Sequence, residues 1–280
     1  MSEKLIGIDV GGTSARVAEF SGPDSDEIER QDRFAISGEY PKDLEQLVAT
    51  ITAVLDGEAT GGIGVGLAGE FNDDHSQLIH SPNVKGWIEQ PLRNDLSEAF
   101  DCPVALINDA EAGAWAEARF GGHQGDFWFI TWGTGIGGSI VEQQPGGPRV
   151  IAAEPGHNVI RWDETSPICN CGKRGCFEAY VGGVNIEKRF GKPAAELSDE
   201  EWGDVTDWLA RGLYDVIRTR PVREVVLGGG VTTKQTRHLP EIQRKLEAYL
   251  AGIQPIELTV AVHGEDAGVV GALAALRPNS

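Results

Sequence analysis

Twice along this chain of 280 residues, a short apolar run ends in a glycine turn carrying a threonine, and the apolar pattern then resumes. The first copy runs from Leu5 to Asp9, turns through Val10-Gly11-Gly12-Thr13, and continues from Arg16 to Phe20. The second runs from Phe127 to Trp132, turns through Gly133-Thr134-Gly135-Ile136-Gly137-Gly138-Ser139, and continues from Ile140 to Glu142. Strand-like runs on either side of a glycine turn predict a β-hairpin. The turn's backbone N–H groups form a concavity for an anion such as a phosphate, and the threonine adds a hydroxyl donor. One such turn alone also reads as a plain hairpin. One in each half of the chain predicts an internally duplicated α/β architecture with a cleft between the halves. A third glycine-rich turn, Gly228-Gly229-Gly230-Val231, follows a strand at Glu224 to Leu227.

Between these turns the pattern alternates strands and helices. A third strand is expected over Glu27 to Ala35. A helix follows over Pro41 to Leu55, with Leu44, Leu47, Val48, Ile51 and Leu55 on its apolar face. Gly62 to Ala68 and Pro103 to Ile107 read as buried strands, and helices are expected near Gln90 to Phe100 and over Ala110 to Arg119. Later helices are expected at Glu178 to Arg189, Asp199 to Thr219 and Ile242 to Leu250, with a strand at Ile256 to Val262. A terminal helix, Ala267 to Leu276, carries Gly268 and Gly271 on a face suited to close packing.

Asn108-Asp109 sits where a buried strand hands over to a helix. In open α/β sheets ligands gather beyond the carboxyl ends of strands, so a carboxylate there is a candidate catalytic group. Aspartate is also a good helix N-cap, and the two roles are compatible. Asp9, at the end of the first strand, is placed to hold Mg²⁺ directly or through water.

The stretch EPGHNVIRWDETSPICNCGKRGCFE, from Glu154 to Glu178, holds three of the four cysteines within eight residues. Cys169, Cys171 and Cys176 follow His157 with the spacing H-x11-C-x-C-x4-C. Three thiolates and one imidazole complete a tetrahedral zinc shell with no open position, which marks a structural metal. Gly172 and Gly175 allow the tight turns that bring the sulfurs together. The competing reading is a disulfide with a leftover thiol. Cys169 and Cys171 are too close for easy pairing, and nothing else in the chain suggests an oxidising compartment.

Net charge is −19, from 43 acidic and 24 basic residues. That field repels nucleic acid and anionic membranes. No apolar run approaches the roughly 20 residues needed to span a bilayer, and the sequence opens without a signal-peptide pattern. A cytoplasmic protein is expected. Lysine is scarce, 8 against 16 arginines, and the acid is spread along the whole chain, a pattern of proteins working in high salt.

Together these residues resemble the ROK family of sugar kinases and repressors, within the hexokinase, actin and Hsp70-like ATPase superfamily. The resemblance rests on D-x-G-G-T at Asp9, P-N-x-x-x-W from Pro82 to Trp87 and N-D-A at Asn108. It continues through G-T-G-x-G-G at Gly133, E-x-G-H at Glu154, C-x-C-G-x-x-G-C-x-E at Cys169 and L-G-G-G-V at Leu227. It implies two RNase H-like domains around a cleft. A small N-terminal domain would take residues 1–108 with 268–280, and a larger domain, residues 109–267, would carry the zinc loop. It implies ATP-dependent phosphorylation of a hexose, as in a glycolytic glucokinase acting on the 6-hydroxyl, with Asp109 as general base. Asn83, Asn108, Glu154, His157 and Glu178 would bind sugar hydroxyls. Asp9, Gly11, Gly12, Thr13, Thr134 and Gly135 would serve Mg²⁺ and phosphates, with Gly229 and Gly230 near the nucleotide. His157, Cys169, Cys171 and Cys176 would hold Zn²⁺. A homodimer or homotetramer is the family's habit.

The family's repressors carry a winged helix-turn-helix ahead of the kinase-like body, and none is expected here with the first motif already at Asp9. Two positions depart from the family pattern. The loop Gly66-Leu67-Ala68-Gly69-Glu70-Phe71 lacks a proline usual before its glycine, and Ser139 stands where glycine is common. The first leaves glucose, mannose, fructose and N-acetyl sugars open as substrates. A non-catalytic sugar-binding regulator is the remaining alternative.

Overall fold

The computed structural model describes residues 4–81 and 83–276, so Pro82 of the P-N-x-x-x-W motif lies outside the described residues. In chain order the first half gives β1 (Lys4–Val10), β2 (Ser14–Phe20), β3 (Ile28–Ala35), α1 (Tyr40–Leu55) and β4 (Thr60–Leu67). Then come β5 (Glu70–Phe71), β6 (Leu78–His80), α2 (Leu92–Phe100), β7 (Val104–Asn108) and α3 (Asp109–Phe120). The second half gives β8 (Phe127–Trp132), β9 (Ile136–Glu142), β10 (Arg149–Ala153), α4 (Phe177–Val181), α5 (Gly183–Phe190) and α6 (Asp199–Thr219). It ends with β11 (Glu224–Gly228), α7 (Gly230–Lys234), α8 (Leu239–Leu250), β12 (Glu257–Val260) and α9 (Ala267–Ala274).

The duplication read from the glycine turns is present strand for strand. One five-stranded sheet has the order β3-β2-β1-β4-β7 and the other β10-β9-β8-β11-β12. In each, three consecutive strands form an antiparallel meander, and the last two join it in parallel. The chain divides into two compact units. The first ends at Gly121 and takes the chain back at Glu265; the second is Gly122–Gly264. These boundaries differ from those drawn on the sequence at 108 and 268, because α3, which carries Asp109, packs on α9 within the first unit.

In that unit α9 also lies against β1 and β4. The approach is closer than side chains permit: a Cβ on Gly64 would fall 1.9 Å from the Ala272 carbonyl oxygen, and one on Gly271 would fall 1.7 Å from that of Ala112. On the other side of the sheet α1 buries Leu47, Ile51, Val54 and Leu55 at the centre of its face, leaving Leu44 and Val48 partly covered. The face predicted from periodicity is thus rotated toward Asp43 and Tyr40, because Asp43 is a buried tether. Its carboxylate accepts the N–H groups of Ser37 (2.7 Å) and Gly38 (3.0 Å) and the indole N–H of Trp87 (3.0 Å). Burial alone would raise its pKa, but these donors hold it below the ordinary value.

The second unit is organised around α6, whose Ser198–Glu201 capping box fixes its start at the predicted residue. Trp202 on this helix meets Trp132 of β8 edge-on, ring centroids 6.1 Å apart, and both are fully buried. Full burial of side chains this large contributes on the order of 3 kcal/mol each. The single helix expected over 178–189 is two, α4 and α5. Gly182 leaves the helical conformation between them (φ −58°, ψ 141°) while its N–H still closes on the Glu178 carbonyl at 2.8 Å. Strand β10, absent from the sequence expectations, is a five-residue edge whose Arg-Val-Ile-Ala-Ala composition gives little signal beside the Pro-Gly-Gly-Pro loop before it. No helix among the described residues is long and apolar enough to cross a membrane.

Candidate active site and metal centre

In the first unit the β1–β2 turn closes with Gly11 N–H on the Ser14 carbonyl at 2.9 Å, which leaves Gly12 and Thr13 exposed at its tip. Asn83 packs beside it, with its Cβ 3.4 Å from where a Gly12 Cβ would stand. Asp9 lies opposite Arg16 in the ladder, a pairing that the motif alone does not reveal. Arg16 in turn holds the start of the α9 segment, bonding the Asp266 carboxylate at 2.5 Å and the Glu265 carbonyl at 3.1 Å. Burial and then the nearby charge of Asp109 raise the Asp9 pKa, outweighing the pull of Arg16 and Arg33.

The β7–α3 junction separates the two roles weighed for Asp109. Asn108 is the N-cap: its Oδ1 accepts the Ala110 N–H at 2.8 Å, while its Nδ2 donates to the Gly69 carbonyl at 2.6 Å. The amide thereby ties the helix start to the loop after β4. Asp109 is the first helical residue, its side chain open to solvent and its Oδ1 also accepting from Ala110 N–H at 2.9 Å. Partial desolvation by the surrounding protein raises its pKa despite that bond. The result is an accessible carboxylate with increased proton affinity, next to a second carboxylate of the same kind.

In the second unit the zinc stretch converges. The ligand atoms of His157, Cys169, Cys171 and Cys176 all lie within 4.8 Å of one another. Cys171 Sγ is 3.7 Å from Cys176 Sγ, and Cys169 Sγ is 3.5 Å from His157 Nδ1. A tetrahedral site with metal–sulfur bonds of about 2.3 Å and a metal–nitrogen bond of about 2.0 Å separates its sulfurs by about 3.8 Å, and sulfur from nitrogen by about 3.5 Å. The edges match that figure, and 3.7 Å is far from a disulfide bond. All four cysteines are free. The backbone reaches this geometry through left-handed glycines, Gly172 at φ 83° and Gly175 at φ 78°. Burial pushes the Cys176 thiol up to about 12 and also raises Cys169. Such thiols ionise at neutral pH only against a cation, which suits the donor set to zinc.

The remaining predicted residues also fall in this unit. Glu154 is exposed and, with His157, lines a cavity of about 440 Å³ completed by Trp128, Asn158, Lys173 and Thr219. Glu178 accepts the Ile136 N–H at 2.9 Å through Oε2, and its Oε1 stands 4.0 Å from Cys169 Sγ. Thr134 is exposed at the tip of the β8–β9 turn, beside Gly135. Gly229, at φ 89°, caps α7 and backs onto the Trp132 carbonyl, where a Cβ would come within 2.6 Å; Gly230 begins that helix. The structure therefore brings Asp9, Gly11, Gly12, Thr13, Asn83, Asn108 and Asp109 into the first unit. Thr134, Gly135, Glu154, His157, Glu178, Gly229, Gly230 and the three cysteines belong to the second.

Residues 5–278 match the model of the ROK family. The chain is 30% identical to the glucokinase of Thermotoga maritima over 311 residues, covering 98% of this chain and 97% of that one. It is 28% identical over 294 residues to an N-acetylmannosamine kinase of Haemophilus influenzae, covering 96% of this chain and 94% of the relative. Among solved structures it resembles a ROK family glucokinase of Streptomyces griseus in complex with glucose and AMPPNP, at a TM-score of 0.73 and 26% identity, covering 96% of this chain and 98% of that chain. With the duplicated sheets, the paired glycine turns and the Cys3His cluster all in place, the chain belongs to the ROK family.

Proposed function

We propose that this protein is an ATP-dependent sugar kinase, a glucokinase that phosphorylates the 6-hydroxyl of its hexose with Asp109 as general base. The observation that carries the reading is Asp109 itself. It is a solvent-open carboxylate with raised proton affinity at the carboxyl end of a parallel strand, in the same unit as a Gly-Gly-Thr turn. Phosphoryl transfer asks the protein mainly for positioning and charge neutralisation. Asp109 accepts the hydroxyl proton as the oxygen attacks the terminal phosphate, and its raised pKa brings its basicity closer to working pH. Gly11, Gly12 and Thr13 in one turn and Thr134 and Gly135 in the other offer backbone and hydroxyl donors to phosphate oxygens. Gly229 and Gly230 lie alongside the nucleotide. Asn83, Asn108, Glu154, His157 and Glu178 bind the remaining sugar hydroxyls. The AMPPNP and glucose of the Streptomyces griseus structure support this assignment of ligands.

Two groups fit residues present here. Asp9 and Asp109, near enough for the charge of Asp109 to raise the proton affinity of Asp9 despite Arg16 and Arg33, offer a carboxylate pair that suits Mg²⁺, with Asp9 as its holder. Bound magnesium would supply neutralisation of phosphate charge. The Cys3His cluster would hold zinc, which fixes the loop and orients His157, whose Nδ1 faces Cys169.

The Haemophilus influenzae relative favours a second reading, the same chemistry on N-acetylmannosamine, since its identity is close to that of the glucokinase. A coupled ADP-release assay with ATP, Mg²⁺ and a panel of hexoses and N-acetylhexosamines separates the two. Run in both low and multimolar KCl, it also tests the high-salt origin that we read from the net charge of −19. No turnover with any sugar at either salt overturns the kinase reading.

A further inference from the structure

The segment that follows the last cysteine of the metal cluster is fastened to the β8–β9 glycine turn by four hydrogen bonds. Trp132 Nε1 donates to the Val181 carbonyl at 2.7 Å, and Ile136 N donates to Glu178 Oε2 at 2.9 Å. From the other direction Gly183 N donates to the Gly133 carbonyl at 2.9 Å, and Val184 N to that of Thr134 at 3.1 Å. Both rims of the turn are thus held by residues 178–184. At one end this segment begins two residues after Cys176; the other oxygen of the Glu178 carboxylate stands 4.0 Å from Cys169 Sγ.

Glu178 is the member of this set that reaches into the turn. A Cβ on Gly135 would lie 2.2 Å from Glu178 Oε2, so the carboxylate occupies the space a side chain at position 135 would need. The turn and the carboxylate are fitted to each other. A charged acceptor on a backbone N–H is stronger than a neutral one, so this bond orients the peptides at the turn's tip.

We propose that Glu178 is a positioning residue for the nucleotide's phosphates, coupling the metal-bound loop to the geometry of the Thr134-Gly135 turn, in addition to its contact with the sugar. The inference rests on the kinase reading for what the turn binds. It departs from a role confined to the sugar in one respect: changing Glu178 alters nucleotide affinity when no sugar is present. Mobile turn peptides must be ordered at the moment phosphate binds, and that ordering lowers affinity.

The test is calorimetric titration of the zinc-loaded protein with Mg·AMPPNP in the absence of sugar, and separately with glucose in the absence of nucleotide. Wild type, Glu178→Gln and Glu178→Ala are compared, with zinc content and thermal melting measured on each. Glu178→Ala is expected to weaken Mg·AMPPNP about tenfold, within the range of coupling effects carried by such networks. Glu178→Gln, which keeps a carbonyl acceptor for Ile136 N–H, recovers most of that loss. A double-mutant cycle with Gly135→Ala supplies the second arm. The added methyl clashes with the carboxylate, so Gly135→Ala weakens nucleotide binding more in the wild-type background than in the Glu178→Ala background.

Unchanged Mg·AMPPNP affinity in Glu178→Ala, with only glucose affinity lost, overturns the inference and leaves the kinase reading intact. Equal effects of Gly135→Ala in both backgrounds overturn it as well. A wild type that binds no Mg·AMPPNP brings down the kinase reading, and the inference with it. If Glu178→Ala loses zinc or cooperative melting, Glu178→Asp replaces it both in the titration and as the second background of the cycle, and the same outcomes decide. That variant keeps the charge but is one methylene too short for the Ile136 N–H contact.

Discussion

Replacing Asp109 by asparagine separates catalysis from stability, and the structure gives the sign of each effect. Asparagine is isosteric and keeps the oxygen that accepts Ala110 N–H at 2.9 Å, while helix capping is done by Asn108 and is untouched. The fold therefore loses no hydrogen bond. What disappears is proton acceptance, worth about 10²- to 10⁴-fold in rate for a general base, or about 3–5 kcal/mol in the barrier. The charge that disappears is one the native state holds at a cost. Because the folded pKa is raised, the native state binds the Asp109 proton more tightly than the unfolded chain does. Ionised Asp109 thus destabilises above its folded pKa, and that cost is relieved as pH falls toward the unfolded value. Asp109→Asn should melt at or slightly above the wild-type temperature at pH 7. The gain is under about 1 kcal/mol, because the side chain is open to solvent screening. The measurements are kcat by coupled ADP release, glucose affinity by calorimetry and melting at pH 7 and 5. A variant that turns over within about threefold of wild type removes Asp109 as the base. One that melts well below wild type refutes the account of its desolvation.

The same raised pKa predicts that kcat/KM of the wild type declines on acidification at a higher pH than an ordinary aspartate would give; a profile flat to pH 4 contradicts it. Stripping the Cys3His metal, by chelator or by Cys176→Ser, should release one zinc per chain and abolish sugar binding before the chain unfolds; active protein without zinc by metal analysis defeats this. Asp43→Ala leaves three donors without their acceptor and should cost about 3 kcal/mol in denaturant unfolding with little change in glucose affinity. Ser139 is fully buried on β9 with no hydrogen-bond partner for its hydroxyl among the described residues. Ser139→Ala should raise stability by about 1 kcal/mol, and a lower melting temperature would mean the hydroxyl has a partner.

Much of this molecule is written in short-range chemistry that a sequence carries openly. Glycine turns between apolar runs mark hairpins because the strand pattern visibly breaks at the turn and resumes after it. Their repetition makes a duplicated architecture readable before any coordinates, and the structure adds the matching strand orders of the two sheets. The Cys3His spacing is similarly local: Gly172 and Gly175 supply the left-handed turns, and His157 is only a loop away, so the donors' convergence follows from the chain itself. Helix α6 declares its start because Ser198 and Glu201 form a box with each other.

Tertiary structure decided what depends on contacts between distant segments. Asn108 rather than Asp109 became the cap because Gly69, 39 residues earlier, takes the other half of its amide and turns it toward Ala110. Asp43 became a buried tether through Trp87, 44 residues on, and the face of α1 is turned enough to leave Leu44 and Val48 partly covered while Leu47, Ile51 and Leu55 stay buried as expected. Glu178 came to lie under the glycine turn because that turn, 42 residues upstream, leaves space where a side chain would stand. Periodicity reports which residues avoid water and spacing reports which can share an ion. The desolvation that raises the Asp109 pKa, and the fit of Glu178 against Gly135, are made by atoms that meet only once each sheet has formed.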